Sequence, residues 1–111
     1  MQIGFDVGAT KIESVILEDN GEESHRSRVE CPKDYLKIIS TIKDIVNKLE
    51  KEFNKELSVG VCHPGVHSPQ TGLVKNAPNC AWLEKNPFQN DLRKALGKEV
   101  FCENDANCFA L

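Results

Sequence analysis

Between residues 36 and 53, Leu36, Ile39, Ile42, Ile45, Val46, Leu49 and Phe53 recur at steps of three and four. That period marks a helix with one apolar face, and the stripe has to be buried against another layer. Asp34 is placed to cap the helix, and its charge suits the helix dipole. Lysines and glutamates fill the opposite face, which reads as solvated. The layer that covers the stripe is predicted from the flanking segments, where the period changes.

Ile3, Phe5 and Val7 alternate into a strand that ends in Gly8-Ala9-Thr10. Residues 12–17 read as a second strand. Asn20-Gly21 is a strong hairpin signal, and residues 24–31 form the returning strand. Pro32 then breaks the sheet. After the helix, residues 57–61 read as a buried strand running into His63-Pro64-Gly65. A long loop follows, with Pro69, Gly72, Pro78 and Pro87. Residues 88–96 form a short helix closed by Gly97. Residues 100–102 are a strand, and residues 104–111 the start of another helix. A three-strand meander followed by βαβ-type crossovers predicts an α/β fold with a mixed sheet and flanking helices. The 111 residues suffice for one domain with one core. Because the sequence stops within a helical segment, further chain is expected beyond it.

Composition excludes some classes of partner. Hydrophobic residues make up 40% and charged residues 28%, as in soluble globular domains. The net charge of -3 argues against a nucleic-acid or membrane surface. No apolar run is long enough to span a bilayer. The first residues lack the basic stretch and cleavage site of a signal peptide. Five cysteines, Cys31, Cys62, Cys80, Cys102 and Cys108, include no CxxC pair, so free thiols in a reducing cytoplasm are expected.

Two constellations carry chemistry. In Asp6-Val-Gly8-Ala9-Thr10-Lys11 a strand ends in an acid, a glycine and a hydroxyl. The glycine lets a phosphate approach backbone N–H groups. Thr10 adds a hydroxyl, and Asp6 suits magnesium, which takes carboxylate, water and phosphate oxygens. The competing reading is an ordinary hairpin turn; the segment is neither a Walker A loop nor a GxGxxG. In Glu103-Asn104-Asp105-Ala106-Asn107 a strand end opens a helix, where open α/β sheets place ligands. A carboxylate there can take a proton from a substrate hydroxyl, and Asn104 can donate to and accept from sugar hydroxyls. The competing reading is a helix-capping cluster. Between the two lie Gly65, which permits close backbone approach, and Asn76 and Asn79, candidate hydroxyl readers. Trp82 could wall a sugar site, although a lone Trp is more often core. His63 and His67 stand four apart, but Pro64 and Gly65 break any helix between them, so no zinc site is expected within this chain.

Taken in order, residues 4–11, Pro64-Gly65, Asn76-Ala-Pro-Asn79 with Trp82, and residues 103–107 resemble the N-terminal motifs of ROK sugar kinases. The resemblance implies an actin-like, ribonuclease-H-like fold, of which residues 1–111 would be the N-terminal lobe. It implies a cytoplasmic, ATP-dependent hexose kinase working with Mg2+ and dimeric when full length. Gly8, Ala9, Thr10 and Lys11 would bind ATP phosphate, with Asp6 serving magnesium. Gly65, Asn76, Asn79, Asn104 and Asp105 would bind the sugar. Asp105 would deprotonate its hydroxyl, expected to be the 6-hydroxyl. Leu73-Val-Lys-Asn-Ala, Trp82-Leu83, Pro87-Phe88 and residues 104–108 most resemble fructokinases and mannokinases, which sets the expected substrate. N-acetylglucosamine or N-acetylmannosamine kinases are the alternative. Sugar-sensing ROK repressors are another, although here a strand begins at residue 3 with no basic helix ahead of it. Two departures stand out. Ala9 replaces a second glycine, and Cys62-His63 precedes Pro-Gly where small or aliphatic residues are usual. The second phosphate loop, the adenosine pocket, further His and Glu sugar ligands and the Cys/His zinc motif of that family would lie beyond residue 111. The lobe alone is therefore expected to be inactive.

Overall fold

The computed structural model describes residues 1–104. Three antiparallel strands open the chain: β1 (Gln2–Val7), β2 (Lys11–Leu17) and β3 (Glu23–Glu30). Helix α1 (Tyr35–Phe53) leads to β4 (Ser58–His63). A two-residue pair, β5 (Val66–His67) and β6 (Val74–Lys75), and a 3-10 turn at Pro78–Cys80 lie within the expected long loop. Helix α2 (Phe88–Leu96) and β7 (Val100–Asn104) follow. The main sheet has the order β3-β2-β1-β4-β7. Strand β1 pairs antiparallel with β2 and parallel with β4, and β4 pairs parallel with β7. The meander and mixed sheet therefore form as the sequence predicts. The helix expected over residues 104–111 lies outside the described residues, apart from Asn104, which ends β7.

Period-two alternation decides which face of the sheet is covered. Ile3, Phe5 and Val7 of β1, Ile12 and Ile16 of β2, Val59 and Val61 of β4 and Val100 of β7 are buried in one cluster. Ile38, Ile42 and Val46 of α1, and Phe88 and Leu92 of α2, join it. The buried row of α1 is thus 38-42-46: Ile42 and Val46 belong to the expected stripe, while Ile38 was not part of it. Ile39, Ile45, Leu49 and Phe53 flank it, half-buried, while Leu36 is 73% exposed. Leu36 precedes Ile38 by two residues, roughly 200° round the helix, so it points away from the sheet.

The helix ends are chemically defined. The Asp34 side chain accepts from the Lys37 backbone N–H at 3.1 Å. The first α1 turn otherwise has no acidic residue. Asn54 closes α1 in the left-handed region, and Gly97 does the same for α2 at φ 68°. The two helices are tied by Tyr35, whose hydroxyl donates to Asp91 Oδ2 at 2.6 Å. Burial, with Asp91 adding to it, raises the Tyr35 pKa, so the phenol stays a donor. Lys98, just after α2, pairs with Glu50 of α1 and donates to the Leu57 carbonyl at 2.8 Å.

The thiols follow the sequence expectation in part. Cys31, Cys80 and Cys102 are free, and burial pushes the Cys80 and Cys102 thiols up to about 12. Cys62 is disulfide-bonded, contrary to that expectation, and Cys108 lies outside the described residues. Among the described residues no helix is long and apolar enough to cross a membrane.

Candidate functional site

Because β1, β4 and β7 run parallel, their C-terminal ends share one edge of the sheet. That edge collects three segments the sequence singles out: the turn after β1, Pro64-Gly65 after β4, and Asn104 at the end of β7. This is the edge at which open α/β sheets bind ligands.

The turn from β1 into β2 is tight. The Gly8 N–H donates to the Lys11 carbonyl at 2.9 Å, and the Cys31 N–H donates to the Thr10 carbonyl at 2.8 Å. A Cβ on Gly8 would lie 3.2 Å from the Lys11 oxygen, so a larger residue would crowd the turn. Thr10 and Lys11 are exposed, Ala9 partly so. Asp6 is half-buried and in register with Glu13 on one side and Cys62 on the other. Cys62 is in register with Glu103. Two strand spacings put Asp6 roughly 10 Å from Glu103 across the sheet. Glu13 is engaged by Arg26 and Arg28. Among the described residues there is no cluster of three or more metal-ligating side chains. One carboxylate beside a tight glycine turn is still compatible with magnesium, which needs few protein ligands because it keeps several waters and takes substrate oxygens.

At the other end of the edge, Gly65 is buried with φ +75°. A Cβ there would stand 2.4 Å from the Lys75 carbonyl oxygen and 3.0 Å from Ala77 Cβ. Only glycine lets the β5–β6 pair fold back this closely. The Gly65 carbonyl accepts from Asn104 Nδ2 at 2.7 Å, so two of the expected sugar readers touch. Asn76, at φ +61°, and Asn79, in the 3-10 turn, are exposed. Neither lines the cavity beside Asn104. Trp82 packs against the hydrophobic core, which favours its core reading. Asp105 lies outside the described residues.

That cavity, about 180 Å³, is lined by His63, Val66, His67, Gln89, Cys102, Glu103 and Asn104. The fold brings His63 and His67 together by a turn rather than a helix. Their rings meet edge to face at 4.9 Å, and His63 also meets Phe88 at 5.6 Å. His63 is buried and donates from Nδ1 to the Pro64 carbonyl at 2.8 Å. His67 Nε2 accepts from the Gln89 N–H, in the first turn of α2, at 3.1 Å. An imidazole that accepts there is neutral, with its proton on Nδ1. Burial, then His63 and Arg93, lowers the His67 pKa to about 4. Gln89 Nε2 donates to the Val100 carbonyl at 3.0 Å. Gln89 and Cys102 carried no motif in the sequence. Cys102 shares a face of β7 with Asn104, two residues on, whereas only the packing of α2 against β7 brings Gln89 there.

Known proteins resemble this chain along its whole length. The model of the ROK family matches residues 2–111. An N-acetyl-D-glucosamine kinase of Pasteurella multocida (strain Pm70) is 41% identical over 112 residues, covering 100% of this chain and 36% of that protein. The chain thus spans little more than a third of the length of the curated relatives it matches. The ROK family glucokinase of Streptomyces griseus, solved in complex with glucose and AMPPNP, superposes with TM-score 0.81 at 26% identity, over 98% of this chain and 34% of that one. The ROK hexokinase of Thermus thermophilus superposes with TM-score 0.79 at 27% identity, over 96% and 35%. These structures are of sugar kinases with the actin-like fold, of which the mixed sheet described above is a partial N-terminal lobe.

Proposed function

We propose that this chain, which belongs to the ROK family, is the N-terminal lobe of an ATP-dependent N-acetyl-D-glucosamine kinase. The observation that carries this reading is the 41% identity to the Pasteurella multocida N-acetyl-D-glucosamine kinase across the full chain. It reverses the order of substrates expected from sequence: the N-acetylglucosamine alternative moves ahead of fructose and mannose. Of the motifs behind the fructose expectation, residues 73–77, Trp82-Leu83 and Pro87-Phe88 do not line the cavity beside Asn104, while Asn104 of the fourth does.

In this reading the two ends of the sheet edge divide the work. The turn at residues 8–11 faces the nucleotide phosphates with its backbone, with Thr10 and Lys11 exposed beside it. Asp6 would hold Mg2+, whose charge would offset that building on the transferring phosphoryl group. Gly65 and Asn104, joined by their hydrogen bond, would seat the sugar. Asp105 would accept the proton of the attacking hydroxyl, expected at position 6. Phosphoryl transfer depends on in-line positioning and charge stabilisation more than on covalent chemistry. A rigid sheet edge carrying both half-sites meets that need.

The test is an ATP-dependent phosphorylation assay of the full-length protein on N-acetylglucosamine, N-acetylmannosamine, glucose, mannose and fructose. The expected outcome is the highest kcat/KM on N-acetylglucosamine. A preference for fructose or mannose would restore the earlier order. Sugar binding without phosphorylation of any of them would point to a sugar sensor.

A further inference from the structure

We propose that the cavity beside Asn104 receives the 2-acetamido group of the sugar, with His67 and Gln89 as its specificity-determining residues. The inference rests on the N-acetylglucosamine reading and adds which side chains read the amide.

An acetamido group presents three features in a fixed order: a carbonyl acceptor, an N–H donor and a methyl group. The cavity offers a counterpart to each. His67 uses Nε2 to accept from the Gln89 backbone N–H, which leaves its Nδ1–H to donate to a carbonyl oxygen. Gln89 uses Nε2 on the Val100 carbonyl, which leaves its Oε1 to accept from an amide N–H. Both orientations are therefore set by the fold before any ligand arrives. Val66 and the neutral Cys102 thiol supply apolar wall for the methyl. The lowered His67 pKa keeps that ring neutral across the working pH range.

Size and position agree with this assignment. About 180 Å³ has room for several waters, more than the four heavy atoms of an acetamido group require. Asn104 lines the cavity while holding the Gly65 carbonyl. A sugar ring seated on Gly65 and Asn104 can therefore direct one substituent inward. A hexose with a 2-hydroxyl would reach neither the donor nor the acceptor, leaving two polar groups unmatched. A built polar site rejects a ligand that leaves its groups unmatched more strongly than an apolar one does.

The experiment uses the full-length enzyme and reads the ratio of kcat/KM for N-acetylglucosamine to that for glucose. Gln89→Leu removes the acceptor and is expected to lower the ratio roughly tenfold, the worth of one hydrogen bond. His67→Gln keeps an acceptor for the α2 N–H but loses the fixed Nδ1 donor, and is expected to lower the ratio similarly. Melting temperatures are measured alongside, and the ratio is independent of the fraction folded. A ratio unchanged in both variants, with wild type active on N-acetylglucosamine, overturns the subsite and leaves the kinase reading standing. A wild-type enzyme that fails to phosphorylate N-acetylglucosamine removes both.

Discussion

Asn104 Nδ2 donates to the Gly65 carbonyl oxygen at 2.7 Å, across 39 positions of sequence. The bond links the end of β7 to the turn after β4, so the two strand ends that border the candidate sugar site hold each other. Asn104→Ala should leave that carbonyl without this donor and raise KM for the sugar more than it lowers kcat. Asn104→Asp should be worse, because a carboxylate would face a carbonyl oxygen at hydrogen-bond distance. Steady-state kinetics on the full-length protein decide it. Equal KM values in wild type and both variants would remove Asn104 from the binding role.

Gly65 and Gly97 both sit at positive φ, but only Gly65 is crowded. A Cβ at Gly65 meets the Lys75 oxygen at 2.4 Å, whereas one at Gly97 meets nothing within 4 Å. Gly97→Ala should cost about 1 kcal/mol, the backbone term alone. Gly65→Ala should cost more than that, because the β5–β6 pair has to move as well. Denaturant melts of the two variants give the difference. Equal destabilisation would show that the hairpin yields without cost.

Asp34→Ala should lower stability by about 1 kcal/mol, through loss of the side-chain cap on the Lys37 N–H. The cap lies at the start of α1, at the same end of the sheet as the candidate site, but Asp34 does not line the cavity beside Asn104. Its loss should therefore leave sugar KM unchanged. A shift in midpoint together with unaltered KM is the expected pair of results.

The His67 environment makes a pH prediction with a definite sign. The folded pKa is about 4 against an ordinary 6.5, so the unfolded chain binds the proton more readily. This contribution to stability is complete above about pH 6.5 and is lost as pH falls through 4. His67→Gln removes the titrating ring while keeping an acceptor for the Gln89 N–H. Its stability should therefore fall less steeply than wild type between pH 6.5 and 4. Parallel melting curves for the two proteins across that window would contradict the assignment.

Asp105→Asn in the full-length protein should abolish turnover while sparing sugar binding, since the proposed base would be lost and the side-chain volume kept. Calorimetric binding beside a turnover assay separates the two effects. The 111-residue chain alone should show no turnover, because the resemblance places the adenosine pocket and further sugar ligands elsewhere. Unimpaired turnover by the variant, or robust turnover by the short chain, would sink the corresponding assignment.

Local periodicity was enough to determine the elements, because it depends on neighbours a few residues apart. The alternation of Ile3, Phe5 and Val7 made β1, the Asn20-Gly21 turn made the hairpin, and Asp34 and Gly97 marked helix ends. The Asp6-to-Lys11 turn, Gly65 and Asn104 were legible as candidates because glycine, acid and amide at strand ends have few other uses. The face of α1 was legible except at its start, where Ile38 is buried and Leu36 is exposed. Leu36 and Ile38 are both good apolar residues, and only the position of the sheet decides which is buried. The cavity was not legible. His67, Gln89, Cys102 and Asn104 are separated by up to 37 positions and belong to a short strand, a helix and β7. Cys102 and Asn104 share a face of one strand, but no local signal links them to His67 and Gln89. Their meeting depends on the parallel pairing of β4 with β7 and on α2 packing over it, and such non-local contacts exist only once the tertiary structure has formed.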